Sequence, residues 1–254
     1  MKAVKKSAPG PALLVNYAAI KPNNTWEHFR SSDARYGQTK TQLHNDQRGL
    51  CAYCEISLLL NPGNAEADDF RVEHFQPKAP HAPPPNWALD WTNLLGCCHG
   101  GSSKKVSDPS RFRPADPSCD VPKESFNWVG IILDPQQIPP LEMLFSFESN
   151  GVDAGKISVD AIRCPAALKA QAAASIIKLK LNAARLKLAR KASIEKMTAV
   201  LDALIQEGAA NPAAALAEQF LDPQQPQWTA FPTCTRWVLG EQANKYLVTN
   251  NFAG

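Results

Sequence analysis

Five of the seven cysteines in this chain fall between positions 51 and 119, and no other feature restricts its folding as much. Thiols gathered this way can serve as disulfides, as a redox pair or as metal ligands. An odd number of cysteines argues against a disulfide framework. So does the N-terminus, "MKAVKKSAPGPALLVNYAAIK", which is basic but whose apolar piece "ALLV" falls short of the roughly 7–15 residues of a secretory signal. Cys51 and Cys54, in "CAYC", have a spacing shared by redox dithiols and metal knuckles. A redox pair is expected after a strand in a βαβ unit; this one follows a helical pattern and precedes a loop. Metal fits better. One turn can aim both thiolates at a tetrahedral ion, which then needs two more soft ligands. Cys97, Cys98 and Cys119 are the available supply, and adjacent cysteines rarely both reach one ion. The expectation is therefore Cys119 with one of Cys97 and Cys98, around structural zinc.

The rest of the composition is that of a globular protein. The chain has 254 residues, 44% hydrophobic and 20% charged, enough for one large domain or two small ones with a buried core. No stretch approaches the ~20 apolar residues of a membrane span, so no membrane partner is expected and the chain reads as cytoplasmic. A net charge of +3 says less than its distribution. "SSKKVSDPSRFR" and "KLKLNAARLKLARK" are basic clusters, either solvated faces or a surface for a polyanion.

Along the chain, residues 1–25 read as an irregular lead-in. "NNTWEHFR" to "TQLHNDQRG" reads as helix, with Asn24 or Thr25 as a cap and Gly49 as its close. His28 and His44 lie there and take no assigned role. "FRVEHFQP" is a short strand ended by Pro77, "KAPHAPPPNW" an extended loop carrying His81, and "ALDWTNLLG" a strand or turn returning to the core. "LFSFESNGVDAGKIS" forms a hairpin. The last third is helical: one helix from "CPAALKAQAAASIIKLKL", a second capped by Asn182 with Ile194, Met197, Leu201, Leu204 and Ile205 on one stripe and ended by Gly208, and a third from "PAAALAEQFL". Cys164 and Cys234 read as buried fillers. Trp87, Trp91 and Trp128 are core residues or base-stacking platforms.

Between the cysteines the order is "CAYCE", "VEHFQPK", "WTNLLGCCHGG" and "SCDVPK". A glutamate beside a histidine at a strand end, an Asn about twenty residues on, and a last ligand opening a helix resemble the HNH, or ββα-metal, nuclease motif. The wording also resembles the HNH nuclease subunits of Septu and retron-associated anti-phage defence systems, over roughly residues 20–205 including "FESNGVDAGKI" and "IIKLKLN…LKLAR". The resemblance implies an α+β fold: a zinc-braced HNH core (46–150) behind an N-terminal helical lead-in (1–45), with a helical C-terminal extension (151–254) for partner docking or core support.

The resemblance also implies roles. Glu73 is the first metal ligand, His74 the general base and Asn93 the middle residue that holds the loop and orients the histidine. Cys98 is the cysteine of "NLLGxC", completing a zinc set of Cys51, Cys54, Cys98 and Cys119 and leaving Cys97 outside it. Asp120 takes the third position, where the motif has His or Asn, as second ligand of a catalytic Mg²⁺ or Mn²⁺. Lys123 lies near phosphate. The chain departs from compact members in the long gap between Cys98 and Cys119, which makes His99 a rival for the third position. Carboxylates suit the hard ion and thiolates suit zinc; a near-neutral histidine can take a proton. Lys104, Lys105, Arg111 and Arg113 would neutralise phosphates. The implied activity is phosphodiester hydrolysis of DNA or of an RNA such as tRNA, under an ATPase partner. The alternative is a zinc-braced binding module without turnover.

Overall fold

The computed structural model describes residues 1–60, 69–79, 85–102, 106, 113 and 116–254. Its N-terminal part is three helices, α1 (Ala12–Ile20), α2 (Trp26–Arg30) and α3 (Asp33–Asp46). The lead-in read as irregular therefore contains α1, which starts behind Pro11, where a proline costs no helical hydrogen bond. Thr25 caps α2 by accepting from the His28 N–H, and Ser32 caps α3 through the Arg35 N–H. Each satisfies an otherwise orphaned donor, a contribution of about 1 kcal/mol.

Strands β1 (Phe70–His74) and β2 (Leu94–Cys98) pair antiparallel, in a register that sets Phe70 opposite Cys98 and His74 opposite Leu94. All of β2 is buried, because the two-stranded sheet lies between two cores. Val72 and Leu94 join Leu14, Trp26, Phe29 and Leu43 of the N-terminal helices. Leu95 and Cys97 join the larger core with Tyr53, Leu133, Leu179 and Leu186. Burying a side chain such as Phe29 or Leu43 contributes about 1.5–3 kcal/mol, so the helices and the sheet stabilise one another.

The expected hairpin is present as β3 (Phe145–Phe147) and β4 (Ile157–Val159), antiparallel. Five helices follow: α4 (Ala166–Lys178), α5 (Ala184–Gln206), α6 (Pro212–Leu221), α7 (Pro232–Leu239) and α8 (Glu241–Thr249). Ile194 and Met197 of the anticipated stripe are buried, whereas Ile205 is exposed. Cys164, Cys234, Trp91 and Trp128 are buried. Asn182 does not cap α5. Its amide instead accepts from the Ile157 N–H at 2.9 Å and donates to the Ile157 carbonyl at 3.0 Å, saturating the end of β4. The Ala184 N–H is met by Asp116 Oδ2 at 3.1 Å, so α5 is capped from a distant loop. No described helix is long and apolar enough to cross a membrane.

Gly155 is where the hairpin meets α5. Its φ is +82° and a Cβ built there would come within 1.9 Å of the Lys187 carbonyl oxygen, while Arg190 Nε donates to the Gly155 carbonyl at 2.8 Å. Gly155→Ala should therefore separate hairpin and helix and destabilise the fold by roughly 1–3 kcal/mol, the size of a strained backbone position. The urea midpoint at unchanged slope is the measurement, and a parental midpoint would contradict this close approach.

Candidate functional site

The knuckle comes first. Leu50 and Ser57 form an antiparallel bridge, and the Cys51 N–H donates to the Ile56 carbonyl at 2.9 Å. Glu55 takes a left-handed φ of +65° between them, tightening a turn that holds Cys51 and Cys54. Gln47 fastens this turn to the sheet: its amide donates to the Leu50 and Gly96 carbonyls, each at 2.8 Å, and accepts from the Gly96 N–H at 2.7 Å. Cys98 ends β2. Cys119 arrives from far along the chain, its N–H donating to the Leu179 carbonyl at 2.9 Å.

The Sγ atoms of Cys51, Cys54, Cys98 and Cys119 all lie within 4.8 Å of one another, and all four residues are buried. Cys54 and Cys119 each stand 3.6 Å from Cys98, and Cys51 stands 3.9 Å from Cys119. These distances are far beyond a disulfide bond. They fit thiolates around a tetrahedral ion, whose Zn–S bonds of about 2.3 Å set sulfurs about 3.8 Å apart. Burial works against a Cys51 thiolate, yet hydrogen bonds from Cys119, Cys54, Cys97 and Cys98 outweigh it and hold that thiol well below its ordinary range. Burial, with the neighbouring thiols, pushes Cys119 well up. A divalent cation removes that conflict by letting all four ionise. Cys97 is buried but is not one of the four; on β2 it alternates with Cys98 and stands opposite Arg71.

A cleft of about 510 Å³ opens beside this cluster, lined among others by Trp26, Arg71, Glu73, His74, Asp120 and Lys123. Strand alternation places Arg71 and Glu73 on one face of β1. Asp120 directly follows Cys119, so the fourth thiol positions the second acid. The helix expected to start there is a single 3-10 turn, Val121–Lys123, ended where Glu124 takes a φ of +48°. Arg71 Nε donates to Asp120 Oδ2 at 2.7 Å, while Asp120 Oδ1 is buried with no hydrogen-bond partner. Burial, then the Asp120 charge, raises the Glu73 pKa to about 7 against the pull of Lys123. Burial likewise raises Asp120 against the Arg71 guanidinium. Two buried carboxylates with an unused oxygen are a donor set that a hard cation fits.

His74 is buried, with Nε2 at 3.1 Å from the Ala88 carbonyl and the ring edge-on to Trp26 at 4.8 Å between centroids. The carbonyl selects the tautomer with hydrogen on Nε2 and leaves Nδ1 as the basic atom. Burial lowers the His74 pKa to about 4, with Ala88 opposing and Lys78 and Lys123 adding to the drop; the imidazole is neutral. Asn93 does not line the cleft. Its amide accepts from the Gln76 N–H at 2.7 Å and donates to the Gln76 carbonyl at 3.0 Å and the Trp87 carbonyl at 2.7 Å, so it fixes the segment whose next residue, Ala88, holds the histidine.

Lys123 differs from expectation. It is buried, and its ammonium donates to Glu73 Oε1 and the His74 carbonyl, because a buried carboxylate captures the nearest cation. His99 does not line this cleft, and Arg113 lines another one with Ile56 and Arg185. Lys104, Lys105, Arg111 and His81 lie outside the described residues. The sequence reading missed Arg71, although the period of two along "FRVEH" already places it beside Glu73. It also missed Arg185, whose guanidinium donates to Ser118 Oγ, which in turn reaches Cys119 Sγ at 3.6 Å. No local pattern links positions so far apart.

No family model matches the chain. It is similar to the "Retron Ec83 putative HNH endonuclease" of Escherichia coli, 36% identical over 160 residues that cover 58% of this chain and 59% of that protein. It is also similar to the "Septu protein PtuB" of Bacillus thuringiensis, 30% identical over 120 residues that cover 46% and 42% respectively. The chain thus spans less than two thirds of either relative. Both names support the likeness read from the cysteine and "EH" motifs.

Loss of one thiol should unload the cluster. Cys54→Ser is expected to lower bound zinc, measured by elemental analysis of the purified protein, from about one equivalent to well below half. Full zinc content in that variant would remove Cys54 from the ligand set.

Proposed function

We propose that the chain is a metal-dependent HNH endonuclease that hydrolyses phosphodiester bonds of nucleic acid, as effector of an anti-phage defence complex under an ATPase partner. The observation carrying this reading is that Glu73, His74 and Asp120 line one cleft beside four clustered thiols, with an unused carboxylate oxygen among them. The two relatives' names point the same way.

Each group then has a task. Zinc on Cys51, Cys54, Cys98 and Cys119 fixes the segment that carries Asp120. Glu73 and Asp120 would hold Mg²⁺ or Mn²⁺, and such an ion would supply positive charge to the phosphate. His74 accepts the proton of the attacking water at Nδ1 while Ala88 keeps its orientation. Lys123 stands close enough to Glu73 to turn to phosphate once a metal takes the carboxylate. Lys104, Lys105 and Arg111 lie in the basic run before Asp120 and contact the backbone of the substrate. The three-part division at 45 and 150 belongs to the same proposal, with the C-terminal helices as scaffold and docking surface.

A binding module without turnover draws on one observation: both acids are already paired within the chain, Glu73 with Lys123 and Asp120 with Arg71. The two readings separate at His74. His74→Ala should reduce Mg²⁺-dependent cleavage by roughly 10²–10⁴-fold, the usual contribution of a general base, with zinc content and melting temperature retained. Cleavage at the parental rate would reject the enzyme reading. Assays on DNA and RNA, with and without chelator and any co-purifying ATPase, identify the substrate and the controller.

A further inference from the structure

One group in the cleft has no use in proton transfer, metal binding or phosphate contact. Phe126 lines the same cleft as Glu73, His74 and Asp120, yet it is 61% exposed. Leaving a phenylalanine in water forgoes much of the about 1.5–3 kcal/mol that its burial contributes. A single exposed apolar residue needs no explanation by itself. Two features distinguish this one.

Its position is tied to the reacting groups. The Phe126 N–H donates to the Lys123 carbonyl at 2.9 Å, and the ammonium of Lys123 is bonded to Glu73 and to the His74 carbonyl. A short hydrogen-bonded path therefore joins the ring's backbone to the end of β1. Cations line the cleft as well: Arg30 and Lys78 stand there beside the ion pairs Arg71–Asp120 and Lys123–Glu73, with Glu124 as a further acid. Lys78 is held by Glu27 of α2 across an exposed ion pair, which is weak enough to exchange for a phosphate.

Cations that can exchange onto phosphate, next to an exposed ring, are the combination that receives single strands: the charges follow the backbone and the ring takes a base on its face. A ring offers nothing to a phosphate, and in an intact duplex the base faces are occupied by their neighbours. We propose that Phe126 is a positioning residue on which an unpaired base next to the scissile phosphate stacks, so that the preferred substrate is single-stranded or locally unpaired nucleic acid. The inference rests on the nuclease reading and narrows its substrate class.

The test uses the full chain, with any partner that co-purifies, in the His74→Ala background so that substrate survives. Binding is measured to a short single-stranded DNA and a matching RNA, each carrying one fluorescent base analogue, and to the blunt DNA duplex of the same sequence. Phe126→Ala should weaken single-strand binding by about 5- to 150-fold, the range that stacking of one base confers, and abolish the fluorescence change of the analogue. Phe126→Trp should keep both, and duplex affinity should stay within about twofold. With His74 intact, Phe126→Ala should raise KM on a single strand more than it lowers kcat. The DNA and RNA arms separate the two sources of an unpaired base. Unchanged single-strand affinity, or equal losses on strand and duplex, would overturn the stacking role while leaving the nuclease reading in place. Loss of a co-purifying protein with nucleic-acid binding intact would assign the ring to a protein interface and overturn it too. Failure of the parent chain to bind any of the three nucleic acids would overturn both readings.

Discussion

Four sulfurs within 4.8 Å of one another mark the point where three separate segments meet. Cys51 and Cys54 sit on a turn, Cys98 ends a strand and Cys119 lies beyond a long run rich in Ser, Pro and Lys. A metal held by all four thiols would join these three segments at one point. The acid that follows the fourth thiol inherits its position, because Asp120 is one residue from Cys119 and its neighbour Lys123 returns to the end of β1. A metal on the thiols and one on the acids would thus be coupled by covalent adjacency, so that loosening the first would displace the second.

The C-terminal helices take part in that coupling. The Cys119 N–H bonds to Leu179 after α4, Asp116 caps α5, and Arg185 of α5 holds Ser118 against the Cys119 sulfur. Four thiolates around one divalent ion leave a net charge of −2, and Arg185 places a guanidinium near that charge. From the other end, Thr233 of α7 donates through its N–H and its hydroxyl to the buried carboxylate of Glu55, at 3.1 and 2.8 Å, so a second helix clamps the knuckle turn. The helical region is a frame for the cysteines.

Much of this was legible in sequence because it follows short-range rules. A two-residue spacing aims Cys51 and Cys54 together, alternation along "FRVEH" sets Arg71 on the same face as Glu73, and Thr25 and Gly49 mark helix ends as local chemistry requires. The parts that were not legible depend on distant partners. Asn182 has the right chemistry for a cap, yet its amide pairs with Ile157 of β4 and Asp116 meets the α5 N-terminus. Residues 12–20 form a helix of low amphipathicity, stabilised mainly by the packing of Leu14 against Phe29 and Leu43. Lys123 has the spacing of a phosphate contact, but its burial against Glu73 depends on a residue fifty positions away.

The charges in the cleft show why two acids can stand side by side there. Glu73 and Asp120 are both buried; burial and the Asp120 charge push the Glu73 pKa upward, and burial with the Cys51 charge does the same for Asp120. Left alone, such a pair keeps a proton. Here each acid also has its own cation, Lys123 for Glu73 and Arg71 for Asp120, which opposes that rise without cancelling it. The cations differ in kind: the lysine sits on a flexible stem and can move away, whereas the planar guanidinium has five donors and keeps Asp120 oriented while leaving Oδ1 open. A divalent ion entering between the acids would therefore displace the lysine and retain the arginine. That asymmetry makes the pairing of acids and bases inside the cleft compatible with metal binding.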